Sequence, residues 1–253
     1  MCNDARMCHS DDGRPPAPPV IGELGQHGDL ALTADDGNVF DAYEAHPAAP
    51  SRRGIVILPD NRGMHAYYKD LAKRFAETGF HAVTFDYYAR TAGRGDRSEA
   101  FDYVPHWKQA QKNPNGVDAD VRASAAHLRA AGVNVVFTVG FCFGGGMSWR
   151  QSAMLDGVAG CIGFYGLANG VLPVRDQLRA PLLMLLGCED PIVNPADFDV
   201  LLSDLASNGL ASTRHVYPGA PHSFFDRTYA EHGDECADAW HRILEFTDAI
   251  APR

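Results

Sequence analysis

Short apolar runs, each followed by a stretch with helical periodicity, recur along most of this chain, and that alternation constrains its fold more than any other feature. The runs are GIVILP (54–59), FHAVTFDYY (80–88), NVVFTVGF (134–141), GCIGFYG (160–166), PLLMLLGC (181–188) and TRHVYPG (213–219). Compact, nearly continuous apolar segments are the pattern of strands covered on both faces, as in parallel sheets. Between them, Tyr68, Leu71, Ala72 and Phe75 recur at i, i+3, i+4 and i+7, and Val117, Val121, Ala125 and Leu128 line a second helical face. Ala237, Trp240, Ile243 and Leu244 give the last helix an apolar stripe. Ahead of the alternation, DLALTADDGNVFDAYEA places two strand-like stretches around Asp35-Asp36-Gly37-Asn38, a hairpin signal. The expected fold class is α/β: a mostly parallel central sheet with an N-terminal antiparallel hairpin and helices on both faces.

At 253 residues, with no Pro/Gly/Ser-rich internal linker, the chain reads as a single domain over residues 28–253 behind a flexible or wrapping tail at 1–27. Residues 91–115, TAGRGDRSEAFDYVPHWKQAQKNPN, are too long and polar for an ordinary connection and read as a lid loop, in which Tyr103, His106 and Trp107 are candidates to face a ligand. A formal net charge of −10 with no Lys/Arg stripe speaks against a nucleic-acid partner. The N-terminus lacks an apolar h-region, so the expectation is a cytoplasmic protein with no membrane partner. Six sparse cysteines argue for reduced thiols. Cys2, Cys8 and His9 lack the paired spacing of a zinc site, so no metal is expected; Cys161 and Cys188 fall in strands and read as core, with a place near the pocket as the alternative for Cys188, which is close to Asp190 in sequence.

In open parallel sheets, chemistry sits beyond the carboxyl ends of the strands. Cys142 lies there, within Gly140-Phe-Cys142-Phe-Gly144, the thiol form of the G-x-S-x-G nucleophile elbow. The glycines are needed because side chains two residues before and after the nucleophile would collide with neighbouring backbone. A helix starting there aims its N–H groups at the sulfur, favouring negative charge, with the Phe143 N–H as one oxyanion donor and the Asn61 N–H, after the first buried strand, as the second. The bland reading is a small buried residue among glycines that allow close packing. Asp190 follows the strand LLMLLG and His222 follows the next strand, so acid and base come in the order a nucleophile of this kind requires. Cys142 would attack a carbonyl carbon, His222 would move the proton, and Asp190 would orient the imidazole.

VGFCFGGG, FDYYARTAG, GCEDPIVNP and GAPHSFFDRT together make the chain, from about residue 28 onward, resemble dienelactone hydrolase (carboxymethylenebutenolidase) and its relatives in the α/β-hydrolase superfamily. The resemblance implies opening of a small carboxylate-bearing lactone or enol ester through an acyl-cysteine, without a cofactor, by a monomer or small homo-oligomer. It also implies that Arg90 clamps the substrate carboxylate, with pairing to Asp86 or another acid as the structural alternative. Two positions depart from the family pattern. Asp60 stands where those enzymes have a glutamate that helps control the thiol proton. Asp226 stands where they have an arginine, with Arg227 one residue further on. Asp60, Arg90, Trp107 and Arg227 are thus the candidate substrate-binding residues. The departures keep open a related esterase or thioesterase acting on a different small acyl group. A catalytically quiet ligand-binding protein on the same fold is the third reading.

Overall fold

The computed structural model describes residues 13–252. An eight-stranded sheet runs through the molecule in the order β1-β2-β4-β3-β5-β6-β7-β8. Its strands are β1 (Leu24–Thr33), β2 (Val39–Pro47), β3 (Arg53–Leu58), β4 (His81–Phe85), β5 (Val135–Phe141), β6 (Val158–Phe164), β7 (Leu182–Gly187) and β8 (Thr213–Tyr217). β1 and β2 form the antiparallel hairpin, and β2 also runs antiparallel to β4; every later pairing is parallel. The hairpin closes where the sequence indicates, with Gly37 at φ 84° and Asn38 N–H donating to the Asp36 carboxylate at 3.1 Å.

The helices are α1 (Ala66–Glu77), α2 (Ala89–Ala92), α3 (Val104–Lys112), α4 (Pro114–Ala130), α5 (Phe143–Met154), α6 (Asp199–Ser207) and α7 (Gly233–Ile250). Alternate strand residues divide between two layers: Ile55, Ile57, Phe137 and Val139 pack with Leu71 and Phe75 of α1 and Trp240 of α7, whereas Val56, Leu58 and Val136 pack with Val121 and Leu128 of α4. Both faces of β3 and β7 are therefore fully covered, as their apolar sequences require.

Three details differ from the sequence expectations. Ala237 is exposed; the buried stripe of α7 is Cys236, Ala239, Trp240, Ile243, Leu244 and Thr247, a shift of one position around the helix. Regular structure begins at Leu24 rather than near residue 28, and residues 13–23 wrap onto the body: Pro15, Pro16 and Pro18 are buried, and the Trp240 indole donates to the Pro16 carbonyl at 3.1 Å. Residues 91–115 are also not a bare loop. Pro105 starts α3 and Asn113 caps α4 by accepting from the Gly116 N–H, so the segment covers the body as a helix. Its entry is anchored by buried Arg97, which donates to both oxygens of Asp86 at 3.1 and 2.9 Å.

Beyond β3 the chain turns one way to β4 and then returns across β3 to β5, so the strand order reverses at the β3/β5 pair. A crevice outside the carboxyl ends of those two strands is the expected ligand site.

Candidate active site

Cys142 occupies that crevice. It links β5 to α5 at φ 52°, left-handed backbone that an L-residue adopts only under constraint. The constraint is visible in its glycines. A Cβ on Gly140 would lie 1.9 Å from the Gly144 carbonyl oxygen, and one on Gly144 would lie 2.2 Å from the carbonyl oxygens of Leu58 and Pro59. β5, α5 and the end of β3 thus meet backbone to backbone, a packing only glycine permits. Among the described residues the other non-glycine positions at positive φ are Tyr165, just after β6, and Ser223, beside His222. The strained positions gather around one site.

His222 is buried and its Nδ1 lies 2.7 Å from Asp190 Oδ2. Asp190 is fixed in turn, since its Oδ1 accepts the N–H groups of Ile192 and Val193 at 2.8 and 3.0 Å. The carboxylate is thereby aimed at one imidazole nitrogen and leaves Nε2 turned to the thiol. Nε2 is buried and makes no hydrogen bond of ordinary geometry among the described residues; the group acting on it is Cys142. Burial opposes charge on this imidazole, but the hydrogen bond to Asp190 and the nearness of Cys142 outweigh it and push His222 up to about 10. All three residues expected from the sequence are brought together.

The expected oxyanion donors are also adjacent. Phe143 opens α5, whose first N–H groups have no acceptor within the helix. Asn61 follows the end of β3, where Leu58 is in register with Gly140, and its carbonyl is held by the Tyr88 hydroxyl at 2.6 Å. Asp60 is completely buried at the same strand end, its Oδ1 accepting the Arg62 N–H at 2.8 Å. Asp226 lies close by, buried, accepting from the Tyr165 hydroxyl at 2.6 Å. Burial and the charge of Asp60 push it up to about 7. Because an unfolded aspartate ionises near 3.8, folding becomes less favourable as pH rises from about 4 to about 7. Asp226→Asn is therefore expected to raise the melting temperature at pH 8 and to change it less at pH 5, as a thermal melt at each pH would read; an equal shift at both would remove the charge argument.

The cavity beside Cys142 has a volume of about 250 Å³. Trp107 from α3, Phe143, Met147 and Arg150 from α5, and Leu167 line it. Trp107 is thus where the sequence reading set it. Arg90 is not: Nε and Nη2 donate to Asp36 at 3.0 and 2.8 Å and Nη1 donates to Asp120, and it lines a separate crevice with His106. Its fork is committed to protein carboxylates, while Asp86 takes Arg97 instead. Arg227 is exposed and does not line the Cys142 cavity. Cys188, expected in the core, is exposed because β7 ends one residue earlier. Cys161 is buried as expected, its thiol pushed up to about 12. Cys2, Cys8 and His9 lie outside the described residues, among which no cluster of His, Cys, Asp and Glu is arranged to hold a metal. No described helix is long and apolar enough to cross a membrane. The sequence reading missed Met147 and Arg150, although Cys142, Gly146 and Arg150 repeat at intervals of four on one face of α5.

Residues 40–251 match the Dienelactone hydrolase family. The chain belongs to the dienelactone hydrolase family. Its relatives include the protein named "Putative carboxymethylenebutenolidase" in Escherichia coli K12, 25% identical over 92% of this chain and 93% of that one. The protein of the same name in Methylorubrum extorquens AM1 is 27% identical over 87% of this chain and 79% of its own. Among solved structures, a dienelactone hydrolase-like promiscuous phosphotriesterase from metagenomic libraries superposes with a TM-score of 0.72 at 18% identity, covering 89% of this chain and 99% of that one. An acylaminoacyl peptidase from Pyrococcus horikoshii superposes at 0.73 and 13% identity, covering 90% of this chain and 42% of that one. At those identities the two superpositions speak for the α/β-hydrolase fold alone. Family membership and the names of the relatives support a hydrolase of small esters or lactones.

Proposed function

We propose that this member of the dienelactone hydrolase family opens small esters or lactones through an acyl-Cys142 intermediate. The observation that carries the reading is the buried His222–Asp190 pair facing a thiol held on a strained, glycine-flanked turn. His222 Nε2 holds the proton drawn from the thiol as the sulfur attacks the substrate carbonyl. The N–H groups of Phe143 and Asn61 stabilise the resulting oxyanion. Collapse breaks the C–O bond and the alkoxide leaves with the proton from His222, which in a lactone opens the ring while the acyl group stays on sulfur. Water, deprotonated by His222, attacks the thioester; the acid product departs and the thiol regains its proton. Asp190 holds the imidazole in the required tautomer throughout.

A cavity of about 250 Å³ suits a small acyl group. Commitment of Arg90 to Asp36 and Asp120 favours the related-esterase reading over dienelactone as the particular substrate. The test is turnover of dienelactone and of 4-nitrophenyl acetate by wild type and Cys142→Ala. Hydrolysis of at least one substrate, lost in the variant, is the expected result. Binding without turnover of either would move the non-catalytic reading forward, and undiminished turnover by Cys142→Ala would remove the cysteine mechanism.

A further inference from the structure

We propose that Arg150 is the substrate-anchoring residue of the Cys142 cavity, and that the cavity takes an acyl group ending in a carboxylate. This rests on the hydrolase reading above and on the carboxylate-bearing substrate that the family resemblance implies; it adds the residue that holds that carboxylate, a role Arg90 gives up to its pairing with Asp36 and Asp120.

Arg150 is the one ionisable side chain other than Cys142 itself among the described residues that line the cavity, in a protein of net charge −10. It is 7% exposed, so its charge is largely withdrawn from water and needs partners. One edge of the guanidinium has them: Nε faces both oxygens of Asp118 at 3.2 and 3.0 Å, and Nη2 donates to Asn115 at 3.3 Å. Gln151 holds Asp118 from behind at 2.8 Å. Nη1 has no acceptor among the described residues. The guanidinium is thus oriented by Asp118 and keeps a donor in reserve, which is how a planar fork is prepared for a carboxylate.

A second donor on the same cavity points to the same kind of ligand. The Trp107 indole N–H is buried with no acceptor among the described residues, an arrangement that is costly unless a ligand oxygen or water completes it. Met147, Leu167 and Phe143 supply the apolar wall between these donors and the sulfur. Geometry sets the length of the ligand. Arg150 is eight residues past Cys142 along α5, about 12 Å at 1.5 Å per residue, and helical side chains lean toward the N-terminus, which shortens the gap. The matching substrate carries its carboxylate several bonds from the scissile carbonyl rather than next to it.

The probe is mono(4-nitrophenyl) adipate against its neutral partner, methyl 4-nitrophenyl adipate, both read by nitrophenolate release. Wild type is expected to prefer the anionic ester. Arg150→Met combined with Asp118→Asn, which removes both charges and leaves no buried carboxylate stranded, is expected to lower kcat/KM for the anionic ester by about 10- to 100-fold, chiefly through KM. The anionic-to-neutral ratio of kcat/KM is expected to fall by about the same factor, and Arg150→Lys is expected to fall between. In wild type, 4-phenylbutyrate is expected to inhibit turnover of the neutral ester more strongly than 4-phenylbutanamide does, a comparison that needs no variant to fold. Equal losses on both esters, or equal inhibition by acid and amide, would overturn the anchoring role. If neither ester is turned over by wild type, the hydrolase reading itself fails, an outcome distinct from loss of charge preference.

Discussion

His222→Ala is expected to lower kcat/KM for a 4-nitrophenyl ester by roughly 10³-fold or more, because the step it removes is proton transfer at the nucleophile and no imidazole among the residues lining the cavity can take its place. Asp190→Asn should also cost orders of magnitude, since an amide in place of the carboxylate 2.7 Å from Nδ1 no longer holds the proton on that nitrogen. The two changes act on one unit, so the double variant should be little worse than the poorer single one. Stability gives an independent readout. A histidine raised to about 10 contributes stability that is complete below its unfolded pKa near 6.5 and is lost as pH rises through 10. The alkaline decline in melting temperature between those limits should therefore be shallower in Asp190→Asn than in wild type. Near-wild-type kinetics in His222→Ala would mean that the imidazole is structural.

The second large effect is on the turn. Gly140→Ala places a methyl group 1.9 Å from the Gly144 carbonyl oxygen, with backbone on both sides of the clash and no side chain free to move away. The expected cost is about 3 kcal/mol or more, read as a melting temperature lower by roughly 10 °C and accompanied by loss of activity, because relief of the clash displaces Cys142. Gly28→Ala is the control, since nothing lies within 4 Å of a Cβ there, and it should leave both quantities nearly unchanged. Should Gly140→Ala melt and turn over like wild type, β5 and α5 do not approach as closely as described.

What the sequence revealed and what it concealed separate along a physical line. The elbow is local: glycines two residues either side of Cys142 carry the steric requirement within one pentapeptide, so spacing alone exposes it. Asp190 and His222 were legible because each follows a strand, the buried β7 and the half-buried β8, and strands are the clearest periodic signal in the chain. The fate of Arg90 was not. Its partners Asp36 and Asp120 lie 54 and 30 residues away and meet it only when the hairpin and α4 close on the same corner. Arg150 was hidden differently: its place on the Cys142 face of α5 is implicit in helical periodicity, but its orientation by Asp118 depends on the packing of α4 against α5. The helix within 91–115 was obscured by composition. Polar residues mark a segment as loop-like until Pro105 and Asn113 are recognised as a helix start and a cap. The one-position error in α7, Ala237 for Cys236, arose because a stripe read from three large residues does not fix where a small one falls.

The most direct test of Cys142 as nucleophile is to mix the protein with a 4-nitrophenyl ester, quench in acid within the first turnovers, and locate any acyl group by intact mass and peptide mapping. His222→Ala can be run alongside, with the intermediate's decay slowed by loss of the base that activates water. The expected result is a single acyl increment on the peptide containing Cys142, absent from Cys142→Ala. An acyl group on another residue, or undiminished turnover in Cys142→Ala with no adduct on the sulfur, would contradict the acyl-cysteine mechanism.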